Sequence, residues 1–133
     1  MASEERGRDE GLEAEQGGGM KLSRIKELLD CDVLSGANGL DIEILQCLGA
    51  DMMSDVLAFA EPGSLLVTGL TNSQSVRTAE IADATAIIYL RGKRPERRVL
   101  ELAEELSIPI MATKLGMFDV CGRLYAQGIK GIC

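Results

Sequence analysis

The chain contains no histidine. That absence removes the commonest general base and the commonest transition-metal ligand, and with them any Ser-His-Asp or Cys-His catalytic arrangement. Tryptophan is missing too, and the aromatic residues are only Phe59, Tyr89, Phe118 and Tyr125. Stacking platforms for single-stranded nucleic acid are therefore scarce. Positive charge is in deficit, with a net charge of −7. This argues against a nucleic-acid partner, whose binding rests on neutralising phosphates.

Other signatures are missing as well. None of the cysteines, Cys31, Cys47, Cys121 and Cys133, sits in a CxxC, and without histidine the zinc patterns fail. Asp51, Asp55 and Asp119 are too scattered to argue as a metal site, and no cofactor is implied. Neither GxxxxGK[ST] nor GxGxxG occurs, so there is no nucleotide fingerprint. No apolar run approaches the length of a membrane span and no signal peptide is visible. The expectation is a cytoplasmic protein without membrane contact, whose reduced cysteines pack as small hydrophobes.

What the chain does have is a repeated alternation over residues 64–128. Residues 64–68 (SLLVT) lead into a helical stretch at 73–83, 84–90 (ATAIIYL) into 95–106, and 108–113 (IPIMAT) into 117–127. Short apolar runs alternating with helical periodicity indicate parallel strands with crossover helices. The expected fold class is α/β, a three-layer sandwich around a mostly parallel sheet. With 133 residues, 46% of them hydrophobic, the chain is large enough for one domain with a substantial core.

Residues 1–19 (MASEERGRDEGLEAEQGGG) form a separate block with six acidic and two basic residues and a triple-glycine end. Lacking large apolar side chains, the block cannot offset its ordering entropy, and it reads as a disordered acidic tail. Met20 followed by KLSRIKELL reads as a natural start, giving a domain over 20–133 with a net charge of −3. Within it, Leu22, Ile25, Leu28 and Leu29 make a helical stripe, 33–35 a short strand and 36–39 a turn. Residues 41–47 (DIEILQC) read as one strand with Ile42 and Ile44 on a common face. Asp51 stands where a helix N-cap belongs, and Met52, Met53, Val56, Leu57 and Ala60 read as the buried stripe of that helix. Pro95 suits the first turn of a helix. Cys121 falls in the stripe of Met117, Val120 and Leu124, which favours packing over reactivity.

Parallel sheets place ligands at the carboxyl ends of their strands. Three segments occupy those ends. In the first, Gly69 can let a ligand approach the backbone, and Thr71, Asn72 and Ser73 lead a helix N-terminus able to receive an anion; the same geometry suits an ordinary capped turn. In the second, Arg91, Gly92 and Lys93 directly follow a strand, whereas Arg97 and Arg98 belong to a solvated helix. In the third, Thr113 and Lys114 can complete an anion site with Arg91. Together, Gly69, Thr71, Asn72, Ser73, Arg91, Gly92, Lys93, Thr113 and Lys114 form a candidate ligand-binding set. It is polar and basic, but it contains no base beside a nucleophile, and an enzyme is not expected.

The segments 51–58 (DMMSDVLA) and 62–68 (PGSLLVT), with 87–95 (IIYLRGKRP) ahead of an acidic helix and Ile108-Pro109, resemble the DRTGG domain family. Where typical members spell the family's name, this chain reads Leu70-Thr71-Asn72 and Leu90-Arg91-Gly92. The family is similar to the N-terminal domain of HPr kinase/phosphorylase, an α/β sandwich without the kinase active site. Its members occur alone or joined to CBS domains, inorganic pyrophosphatase or phosphotransacetylase. The stretch 114–125 (KLGMFDVCGRLY) resembles a free-standing subgroup found beside iron-only hydrogenase genes. The resemblance implies a non-enzymatic regulatory module, working as a homodimer and binding a small anionic ligand such as a nucleotide, or a protein partner. The alternative it leaves is a scaffolding or accessory subunit for a hydrogenase or other redox complex, without a small ligand.

Overall fold

The structure, a computed structural model, describes residues 19–132. The expected acidic tail lies, except for Gly19, outside the described residues.

The elements run β1 (Met20–Lys21), α1 (Leu22–Leu28), β2 (Asp32–Ser35), a 3-10 turn (Ala37–Gly39), β3 (Glu43–Ile44), β4 (Gln46–Gly49) and α2 (Met53–Phe59). They continue with β5 (Leu65–Thr68), α3 (Ser73–Ile81), β6 (Ala86–Tyr89), α4 (Arg97–Glu105), β7 (Ile110–Ala112), α5 (Met117–Ala126) and β8 (Lys130–Gly131). The main sheet has the order β2-β7-β6-β5-β4-β8. All its pairings are parallel except that of β2 with β7. β1 and β3 form a separate antiparallel pair.

β5 and β6 are buried along their whole length, as expected for parallel strands covered on both faces. Their side chains alternate between two cores. Leu65, Val67, Ala86, Ile88 and Met111 pack with Leu22, Ile25 and Leu29 of the α1 segment and Val120 and Leu124 of α5. Leu66, Ile87, Tyr89 and Ile110 pack with Met53 and Val56 of α2, Val76 and Ala79 of α3, and Val99 and Ala103 of α4. The result is the expected three-layer sandwich.

Four helix ends close alike, whereas α2 ends in an extended Ala60. Asp30, Asp83 and Ser107 have left-handed backbones just past α1, α3 and α4, and Gly128 does so past α5. The next residue then returns an N–H to the last turn, as in Ala84 N to Ala79 O and Ile108 N to Ala103 O. This closure satisfies carbonyls that a helix end otherwise leaves open.

Several local expectations are corrected. Residues 41–47 are not one strand: β3 pairs with β1 and β4 joins the main sheet, so Ile44 is buried and Ile42 is exposed. The break between the sheets overrides the alternation. α2 buries only Met53 and Val56, and Met52, Leu57 and Phe59 face outward. The helix lies on the outside of the sheet with one narrow contact line. α4 begins at Arg97, after Glu96 as its N-cap, rather than at Pro95. Asp51 does not cap α2, whose N-cap is Met52 with no side-chain bond.

Candidate functional site

Four parallel strands bring their carboxyl ends to one edge. Thr68 is in register with Tyr89, and Tyr89 with Ala112. Gly49 is in register with Val67, and Ala50 donates to the Val67 carbonyl at 3.0 Å. The segments beginning at Ala50, Gly69, Leu90 and Thr113 therefore emerge side by side.

At the centre is Gly69. Its N–H donates to the Asp51 carboxylate at 2.8 Å, and the Thr68 hydroxyl donates to the same oxygen at 3.2 Å. From the other side, Lys93 Nζ donates to the Gly69 carbonyl at 3.2 Å. A Cβ on Gly69 would lie 2.8 Å from Arg91 Nη2 and 3.5 Å from Asp51 Oδ1. The missing side chain thus lets a guanidinium and a carboxylate rest against the backbone.

The Arg91 loop is held by its main chain. Arg91 N donates to Leu115 O at 2.9 Å, Gly92 N to Thr113 O at 2.8 Å, and Lys93 N to Leu90 O at 3.0 Å. Arg91 and Gly92 are both left-handed, with φ of 56° and 71°. For a long L-residue this conformation is strained, and strain of this kind concentrates at functional positions.

The other expected residues divide into two groups. Asn72 caps α3, accepting from Ser75 N at 3.2 Å, and Thr71 and Ser73 stand on either side of that cap, half-buried. Lys114 is exposed at the end of β7. Thr113 is buried and structural: its hydroxyl donates to the Leu29 carbonyl at 2.7 Å and accepts from Leu115 N at 3.3 Å. Those bonds tie the strand end to α1 and leave the hydroxyl facing inward. Of the other basic residues in this stretch, Arg94 pairs with Asp32, Arg97 with Glu101 and Arg98 with Glu96, all at the surface.

Two residues escaped the sequence reading. Asp51 belongs to the site because β4 neighbours β5, and the only sequence signal was its place two residues past an apolar strand. Tyr89 lies fully buried, its hydroxyl 2.7 Å from Ser75 Oγ. Ser75 uses its single proton on the Asn72 carbonyl at 2.7 Å, so Tyr89 is the donor. Burial raises the Tyr89 hydroxyl pKa, against a smaller lowering by Ser75. The link joins the helix N-terminus to the strand that carries Arg91.

The thiols titrate unequally. Burial pushes Cys31 up to about 12. Cys47 on β4 and Cys121 on α5 line one cavity; thiol–thiol hydrogen bonding there raises Cys47, helped by burial, and lowers Cys121 to about 7. Among the described residues no three His, Cys, Asp or Glu side chains gather as a metal site, and no helix is long and apolar enough to cross a membrane.

Comparison with known proteins gives three results. The family whose profile matches is the DRTGG domain, over residues 24–126. An uncharacterized protein of Bacillus subtilis, YtoI, is 24% identical over 116 residues, which make up 84% of this chain and 26% of the relative. The crystal structure of the CBS and DRTGG domains of the regulatory region of Clostridium perfringens pyrophosphatase, complexed with its activator diadenosine tetraphosphate, superposes with a TM-score of 0.69 at 17% identity. That match covers 86% of this chain and 49% of the other. The chain thus spans about a quarter of the curated relative and about half of the solved one.

Proposed function

From the premise that this chain belongs to the DRTGG domain family, we propose that it is a non-catalytic regulatory domain whose strand-end site takes the phosphates of a nucleotide. The observation that carries this reading is the placement of Arg91 and Lys93 over Gly69, at the edge where α3 begins. Arg91 offers a planar fork and Lys93 a mobile charge, and Lys114 stands at the neighbouring strand end. Thr71, Asn72 and Ser73 would meet the anion at the helix N-terminus. Gly92 supplies the turn, and Thr113 supports the loop from below. Diadenosine tetraphosphate, the activator bound by the clostridial regulatory region, is a polyanion of the kind such a site would take.

Asp51 tunes the site. Its carboxylate occupies the Gly69 N–H, so an incoming phosphate must tolerate or displace it. Isothermal titration with diadenosine tetraphosphate, ATP and inorganic tripolyphosphate tests the reading. Arg91→Ala or Lys93→Ala should weaken binding by about tenfold, since a charge-assisted contact is worth roughly 1.5–3 kcal/mol. Asp51→Asn should strengthen it, and Arg98→Ala should leave it unchanged. Absence of binding by any of the three anions refutes the nucleotide reading.

One observation favours a second role. Met52, Leu57 and Phe59 expose apolar surface along α2, which suits association with a second copy or a protein partner. On this reading ligand state is passed on through a homodimer. An accessory subunit serving a hydrogenase or another redox complex would use the same face. Light scattering of the chain and of Leu57→Glu separates the cases. A monomer at high concentration rejects the homodimer.

A further inference from the structure

Helices α3 and α4 both end at the edge where β6 and β7 begin, opposite the strand-end site. A helix C-terminus carries negative partial charge, so basic side chains are favoured in the last turn and acidic ones disfavoured. Neither helix has a basic residue there. Each has an acid instead, Glu80 in α3 and Glu104 in α4, and Asp83 follows α3 in a left-handed backbone. Three carboxylates thus stand where the helix dipoles oppose them. Local conflicts of this kind are expected at functional positions.

Two cavities adjoin at this edge. One, of about 360 Å³, has Glu80, Asp83 and Leu106 in its walls. The other, of about 480 Å³, has Ser35, Glu104 and Pro109. They share Ser107 and Ile108, and among the described residues no lysine or arginine lines either. A separate observation points to a ligand in the second cavity. Ser35, in register with Ile110 at the start of β7, is 5% exposed, and its hydroxyl has no hydrogen-bond partner. Buried hydroxyls are nearly always satisfied. Because Ser35 is part of the cavity wall, a group entering there can supply the missing bond.

The chemistry of the walls selects the ligand. Carboxylates and helix C-termini repel an anion. A metal ion needs its oxygen donors gathered around one point, and among the described residues no three carboxylates gather in that way. Carboxylates spread over two cavities, with Leu106 and Ile108 in the walls, instead fit a cation whose charges are spaced along methylenes. We propose that these adjoining cavities bind a linear aliphatic polyamine. Its ammonium groups meet Glu104 in one cavity and Glu80 and Asp83 in the other, its methylenes lie over Ile108, and an amine N–H donates to the Ser35 hydroxyl. The site lies across the sheet from the strand-end edge and does not depend on the anion reading.

The test is isothermal titration of the full chain with spermidine in about 0.15 M salt, where exposed charges are screened beyond about 8 Å. One spermidine should bind per chain, and magnesium at the same concentration should not displace it. Glu104→Gln or Asp83→Asn should weaken binding by about three- to tenfold, the range between an exposed ion pair and a charge-assisted hydrogen bond. Asparagine tolerates the left-handed backbone at 83, so that variant keeps its fold. Asp119→Asn on α5 should change nothing. Ser35→Ala separates ligand from packing: the free chain should be at least as stable, since no bond is lost, yet spermidine should bind less tightly. Glu104→Gln should raise the Tm of the free chain by removing the dipole conflict, while reducing the rise in Tm that spermidine brings. No saturable binding, equal displacement by magnesium, or unchanged binding by Glu104→Gln overturns the proposal. So does a Ser35→Ala chain that melts lower but binds as the parent, because water then fills the place assigned to the amine.

Discussion

Arg91→Gly separates strain from function at the strand-end site. Arg91 has φ of 56°, a left-handed state that disfavours an L-residue by about 1–2 kcal/mol. Glycine removes that penalty, while its greater freedom in the unfolded chain takes back about 0.5–1 kcal/mol. The side chain is exposed, so little burial is lost with it. The variant should therefore be more stable by roughly 0.5–1 kcal/mol, a rise in Tm of about 2–5 °C for a domain of this size. The three backbone bonds that hold the loop remain available to glycine. Binding of tripolyphosphate should nonetheless fall by about tenfold, because the guanidinium is gone. Ser107→Gly is the control: it has φ of 59° just past α4, away from the site, and should gain similar stability without changing binding. Calorimetry and titration on the same preparations provide both numbers. If Arg91→Gly is destabilised by more than about 1 kcal/mol, the arginine's packing on Gly69 holds the loop together and the strain argument fails. If it is more stable and binds the anion as well as the parent, the strain has no functional return and the site is misassigned.

Three further outcomes are expected. Thr113→Val should lower stability by about 1–3 kcal/mol in urea unfolding, because the Leu29 carbonyl and Leu115 N–H lose a buried partner; a neutral result would show that water replaces the hydroxyl. Tyr89→Phe should cost about 1 kcal/mol, since Ser75 still donates to Asn72, and anion binding should persist; loss of binding would make the buried hydroxyl part of the site. Iodoacetamide should modify Cys121 at a rate that rises through about pH 7 and levels off above it, because the Cys47 thiol stabilises the Cys121 thiolate. Cys47→Ala should move that rise toward the ordinary thiol value of 9.0, and an unmoved profile would show that Cys47 is not the cause.

Much of this was legible in the residues. The apolar runs 64–68, 84–90 and 108–113, each followed by helical spacing, point to parallel strands and crossover helices, because strands covered on both faces read as continuous apolar runs. That topology in turn places Gly69, Arg91 and Lys114 at one edge. The non-helical start of α3 at Asn72 was also readable, since a short acceptor there has a local task. Local chemistry and period carry this information, and neither depends on distant partners.

What the tertiary structure decided is which neighbours each residue meets. Asp51 had the composition of an N-cap, yet β4 lies beside β5, and the stronger partner is the Gly69 N–H. Thr113 had the position of a ligand residue, yet α1 passes behind it and takes its hydroxyl. Met52 and Leu57 fit a buried stripe, but α2 contacts the sheet along one line only, and they remain outside. Gly49 is separated from Met117 and Cys121 by up to 72 residues of sequence, and no spacing pattern links them, yet a Cβ on Gly49 would come within 3 Å of both sulfurs. They meet because β4 and α5 cross at a glycine. Period and propensity are properties of a segment; contact between segments is settled only when the whole core closes.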